Sequence, residues 1–128
     1  MKLLLDTHAF LWLNADVERL SENVKGLCCS GAHEFYLSMA SPWEMQIKSQ
    51  LGKLSLAVPI EEMINKNKQE NNIKLLPIDL SHISYLEQLP AHHKDPFDRI
   101  IIAQAIMENM SIISVDHAFT DYPVQIVW

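Results

Sequence analysis

Five short apolar runs separated by stretches of helical periodicity constrain this chain more than any other feature. Lys2–Leu5, Phe35–Leu37, Ile73–Ile78, Ile112–Val115 and Val124–Val127 are each about as long as a buried strand and are bounded by polar residues. Between them, Val17–Cys28, Pro42–Leu51, Ile60–Asn71, Ser81–Leu89 and Phe97–Asn109 carry apolar residues at helical spacing. Parallel strands need crossover connections, and helical crossovers cover the sheet faces, so strict alternation of the two patterns predicts an α/β fold. The expectation is a mostly parallel five-stranded sheet flanked by helices. With 128 residues and no repeat, linker or low-complexity tract, residues 1–128 are expected to form a single domain.

The formal net charge of −6 works against a broad electrostatic grip on nucleic acid, which depends on Lys and Arg neutralising phosphates. That objection weakens if several acids are gathered in one site that a cation neutralises, leaving Lys48, Lys53, Lys94 and Arg99 available nearby. The first residues begin basic and continue apolar like a leader. Asp6, His8 and Asn14 interrupt the run, however, and no small-residue cleavage site follows. No apolar stretch approaches the roughly 18 residues of a membrane span. The expectation is a cytoplasmic protein without a membrane partner. Cys28 and Cys29 are adjacent and have no other cysteine to pair with, so both are expected to be reduced thiols.

Ligands of open α/β sheets bind beyond the carboxyl ends of the strands, and acids fall at those ends. Asp6 follows Leu3–Leu5, Asp116 follows Ile112–Val115, Glu44 lies just after the strand ending near Leu37, and Asp98 opens the helix Ile100–Ala103. Each has a purely structural explanation. Ser41, Pro42 and Glu44 match a capping box, Asp95, Pro96 and Asp98 repeat it with an acidic cap, and Asp6 and Asp116 suit N-caps after strands. Yet the topology that gives each acid a helix to cap also brings those helix starts to one sheet edge. Converging carboxylates repel and raise one another's pKa, and a hard divalent cation such as Mg²⁺ or Mn²⁺ removes the conflict.

Four blocks occur in order: Leu3-Leu4-Leu5-Asp6-Thr7-His8, Ala40-Ser41-Pro42-Trp43-Glu44, His93-Lys94-Asp95-Pro96-Phe97-Asp98-Arg99 and Ser114-Val115-Asp116. In them the chain resembles PIN-domain ribonucleases of the VapC toxin type, and Leu51-Gly52-Lys53-Leu54 and Ile102-Ala103-Gln104-Ala105 also fit. The resemblance implies a three-layer PIN-like fold and a Mg²⁺- or Mn²⁺-dependent endoribonuclease. It further implies a homodimer, neutralised by a cognate antitoxin, whose products carry 5′-phosphate and 3′-hydroxyl ends.

Carried over residue by residue, the resemblance assigns the catalytic acids to Asp6, Glu44, Asp98 and Asp116. Asp6 and Asp98 are the foremost metal ligands, and Glu44 and Asp116 ligate directly or through water. Ser114, Thr7 and Asp95 are candidate supporting residues, with Asp95 reading more naturally as a helix cap, and Arg99 and Lys48 are candidate RNA contacts. His8, His92, His93 and His117 lie near the acidic blocks, but none has zinc-like spacing. Trp12 and Trp43 are expected to pack on helices. Two alternatives stay open: a phosphatase-like enzyme using Asp6 as nucleophile, though a haloacid-dehalogenase relative would carry Asp where His8 stands, and a non-catalytic PIN-like interaction domain.

Overall fold

A computed structural model describes residues 1–92 and 95–128; His93 and Lys94, part of the third acidic block, lie outside the described residues. The strands are β1 (Lys2–Leu5), β2 (Glu34–Ser38), β3 (Ile73–Leu76), β4 (Ser111–Ile113) and β5 (Ile126–Val127). They form one sheet in the order β3-β2-β1-β4-β5, and every pairing is parallel. The helices are α1 (Thr7–Ala15), α2 (Glu22–Ser30), α3 (Ala40–Gln50), α4 (Ile60–Glu70), α5 (Leu80–Tyr85) and α6 (Pro96–Met107). Two 3-10 turns, Val17–Arg19 and His117–Asp121, complete the described elements.

Strand alternation divides the interior into two cores. Leu3, Leu5, Phe35, Leu37, Ile73 and Ile113 pack with Phe10 of α1, Val24 of α2, Met45 of α3 and Met63 and Ile64 of α4. Leu4, Leu76 and Ile112 point the other way, onto Ile101, Ile102 and Ala105 of α6, with Leu89, Phe119 and Tyr122. Because both faces are covered, the strands read as continuous apolar runs rather than as alternating ones.

The structure differs from the sequence-based expectation at several boundaries. Helix α1, expected only through the N-cap reading of Asp6 and the placing of Trp12 on a helix, carries no helical periodicity in its apolar residues, and the carboxylate of Asp6, accepting from Ala9 N at 2.7 Å, marks its start. The expected helix Val17–Cys28 divides at Leu20-Ser21, where Ser21 caps α2 through Val24 N, and Gly31 closes α2 at φ +70°. The capping box at Ser41 is not formed. Helix α3 begins two residues earlier than the expected Pro42, at Ala40, and Ser41 and Glu44 are buried and turned toward α1. Trp43 is 61% exposed, contrary to a core role, and touches the Phe97 ring edge-on at a centroid distance of 5.2 Å. Trp12 does pack on the first core, under the guanidinium of Arg19.

Candidate metal centre

Successive strands run outward from β1 to β2 and β3, and the chain then returns to place β4 on the other side of β1. The reversal creates a crevice at the carboxyl ends of β1 and β4, the position where open parallel sheets bind ligands. Register places Leu5 beside Ile113, and Asp6 N donates to Ile113 O at 3.1 Å, so the next residues on the two strands, Asp6 and Ser114, meet at that edge. The Ser114 hydroxyl hydrogen-bonds the Asp6 carboxylate and accepts from Asp116 N at 3.0 Å. One buried serine thereby ties the first acid to the backbone of the last.

Glu44 reaches the same edge from α3 and is 3% exposed. Thr7 Oγ1 donates to Glu44 Oε1 at 2.8 Å, and Lys48 Nζ donates to Oε2 at 2.6 Å. Since the single Thr7 proton goes to Glu44, the 2.9 Å contact between Thr7 and Ser41 has Ser41 as donor. A chain of hydroxyls thus runs from Ser41 through Thr7 to Glu44.

Asp98 stands in the first turn of α6, which Asp95 caps through Phe97 N (2.9 Å) and Asp98 N (3.3 Å). Desolvation, followed by the charges of Asp95, Glu44, Asp6 and Asp116, pushes the Asp98 carboxyl up to about 7. Asp6 is also raised, chiefly by burial and slightly by Asp116, against the lowering effects of Ser114 and Ala9. The fields of the other three acids predicted to act with it, and of Asp95, therefore converge on Asp98. The capping roles are real as well: Asp6, Asp95 and Asp116 each cap through one carboxylate oxygen. A carboxylate offers about four lone-pair sites, so capping and ligation are compatible.

The donor set is made of hard carboxylate oxygens, with no thiol among them, and opposing ionisation at Asp98 is what a divalent cation relieves. These residues fit Mg²⁺ or Mn²⁺. No three of them bring ligand atoms within 4.8 Å of one another; among the described residues that closeness belongs to Asp79, His82 and Glu108. The latter trio is a structural clip. His82 Nδ1 accepts from Asp79 N (2.9 Å), which leaves Nε2 to donate to Glu108 Oε1 (2.9 Å), so both ring nitrogens are engaged. Sequence reading missed it because Glu108, at the end of α6, lies 26 residues from His82 at the start of α5.

The remaining predicted residues fall in different places. Arg99 donates to the carbonyls of Pro90, Leu86 and Leu89, tying down the turn before α6 instead of facing the acids. Lys48 is paired with Glu44. Thr7, His8 and Lys48 help line a cleft of about 510 Å³ between α1 and α3, with Trp12, Arg19 and Lys53. Ser114, Asp116 and His117 border another of about 260 Å³.

Residues 3–125 match the PIN domain family, and the chain belongs to it. In fold it is similar to VapBC2 from Rickettsia felis bound to a promoter DNA fragment, at 12% identity and TM-score 0.74, covering 99% of this chain and 98% of that one. It is also similar to DNA-bound VapBC from Salmonella typhimurium (16%, TM-score 0.68, 99% and 97% covered). VapBC-5 from Mycobacterium tuberculosis is a third (15%, TM-score 0.61, 98% and 97% covered). No curated protein matches the chain in sequence. At such identities the structural likeness speaks for the fold, and the family match accounts for the expected PIN-like architecture.

Proposed function

We propose that this protein is a Mg²⁺- or Mn²⁺-dependent endoribonuclease and the toxin of a toxin–antitoxin pair. The observation that carries the reading is the convergence of Asp6, Glu44, Asp98 and Asp116 at the β1–β4 crevice, with Asp98 pushed up to about 7. The PIN family match and the fold shared with VapBC complexes support it, whereas nothing in the site favours a phosphoaspartate mechanism at Asp6.

Asp6 and Asp98 are the residues to hold the ion, with Asp116 beside Asp6 through Ser114. When bound, the ion lowers the pKa of a coordinated water and withdraws charge from the scissile phosphate. The chain supplies the rest. Ser114 orients Asp6, Thr7 and Lys48 hold Glu44 in place, and the two clefts flanking the acids suit an extended single strand. Water as nucleophile leaves a 5′-phosphate and makes the ribose 2′-hydroxyl dispensable.

The partners are an RNA substrate, a cognate antitoxin and a second copy of the chain. The test is cleavage of an RNA panel by purified protein with Asp6→Asn as control. Cleavage that requires Mg²⁺ or Mn²⁺ and yields 5′-phosphate ends is expected. Full activity in excess EDTA, or 2′,3′-cyclic phosphate ends, overturns the mechanism.

A further inference from the structure

We propose that Lys48 is a positioning residue, a tethered counter-cation that withholds Glu44 from direct ligation and limits the acidic site to one divalent ion. The inference rests on the metal-nuclease reading above and concerns how the chain's own charges share the site.

Both oxygens of Glu44 are already engaged, Oε1 by Thr7 at 2.8 Å and Oε2 by Lys48 at 2.6 Å. An ion ligating Oε2 would lie beside the Lys48 ammonium, setting two cations against each other at a carboxylate that is 3% exposed, whereas the donors to Asp6, Ala9 N and the Ser114 hydroxyl, are neutral. Lys48 sits one helical turn further along α3, and its side chain is 40% exposed, so the ammonium approaches the buried carboxylate from the solvent side. A tethered cation gives up no translational freedom on pairing, unlike an ion drawn from solution. Asp95 and Asp98 also act electrostatically on Lys48, which places its charge within the acidic cluster. The ion therefore goes to Asp6, Asp98 and Asp116, where no cation of the chain stands in hydrogen-bond contact with Asp6 or Asp116 among the described residues. Glu44 stays as a fixed negative charge facing the ion across the site. Removing the ammonium adds one uncompensated negative charge and frees Oε2, the conditions under which a second ion binds.

The experiment is Mn²⁺ binding to the intact protein, measured by calorimetry and by the electron paramagnetic resonance signal of free Mn²⁺, without reference to cleavage. Wild type and Lys48→Arg are expected to bind one Mn²⁺ per chain. Lys48→Met is expected to bind a second, or to bind the first about tenfold more tightly, as loss of a nearby like charge predicts. Two ions in wild type, or one ion in Lys48→Met at unchanged affinity, overturns the proposal. If Lys48→Met fails to fold because Glu44 is left buried and unpaired, the double variant Glu44→Gln/Lys48→Met removes both charges. It should still bind one Mn²⁺ with wild-type affinity. Loss of the ion from the double variant shows Glu44 to be a direct ligand and overturns the proposal. No binding by wild type would instead bring down the metal-nuclease reading itself, and this inference with it.

Discussion

Asp98 is the residue at which folding and function pull in opposite directions. Its carboxyl titrates near 7 in the folded chain against an ordinary 3.8, because burial and four neighbouring acids oppose its charge. A carboxyl raised on folding destabilises the metal-free protein when ionised. The penalty is complete above about pH 7 and disappears as pH falls toward 4, so the apoprotein should gain stability on mild acidification. Asp98→Asn removes the charge with little change of shape. At about pH 8 the metal-free variant should melt above wild type, and the gap should close by about pH 5. The variant should also lose at least about a hundredfold in cleavage and most of the Mn²⁺-induced stabilisation, if outer contacts of metal sites already cost 10–100-fold. Thermal melts with and without Mn²⁺ over this pH range check all three. An active Asp98→Asn protein with an undiminished Mn²⁺ shift would remove Asp98 from the site. At this scale the acids were legible because each follows a strand end or opens a helix. The Ser41–Thr7–Glu44–Lys48 chain was not, since it joins residues 37 apart in sequence through contacts that no local pattern announces.

At the scale of elements, the alternation of strand and helix patterns was enough to anticipate the parallel sheet, and the departures have identifiable causes. The middle of α1, Ala9–Leu13, is continuously apolar and carries no helical stripe, since Ala9 and Phe10 are buried while Leu11, Trp12 and Leu13 fill the margin of the first core. The Ser41-Pro42-Trp43-Glu44 pattern favours a cap by local chemistry. Tertiary contacts override it, because Thr7 on the adjacent helix offers both side chains better partners inside the protein. The expected helix Ser81–Leu89 shortens to α5, and its register depends on His82, whose ring is 0% exposed. That ring caps α5 through Asp79 N and joins it to Glu108, the C-cap of α6. His82→Ala should therefore cost about 3 kcal/mol, combining a buried cavity with orphaned polar partners. Denaturant unfolding measures this. Because the clip meets α6 at the opposite end from Asp98, Mn²⁺ affinity should be unchanged and Zn²⁺ should give wild type no added stability through it. A Zn²⁺-dependent rise in melting temperature that His82→Ala abolishes would show that the trio is a metal site instead.

For the whole molecule, charge decides how RNA can be held. The net charge is −6, and several cations are committed internally: Lys25 to Glu18 and Glu22, Lys48 to Glu44, Lys74 to Glu34, and Arg99 to three carbonyls. With 16 acids against 10 Lys and Arg, four of those cations so engaged, attraction must come largely from the ion in the β1–β4 crevice, where it offsets the acids and meets the substrate's own oxygens. RNA binding should accordingly be controlled by divalent metal more than by monovalent salt. Fluorescence anisotropy of a labelled single-stranded RNA tests this, with Ca²⁺ as a hard ion that accepts the same carboxylate oxygens in a looser geometry. Binding should be weak in EDTA and strengthen with Ca²⁺. The slope of log K against log salt should be shallower than about −2, since each phosphate contact on a single strand contributes about −0.7. Asp6→Asn should abolish the Ca²⁺ effect while leaving the salt slope alone. Tight binding in EDTA with a slope steeper than about −4 would mean that a basic surface carries the RNA, and would separate substrate recognition from the acidic site.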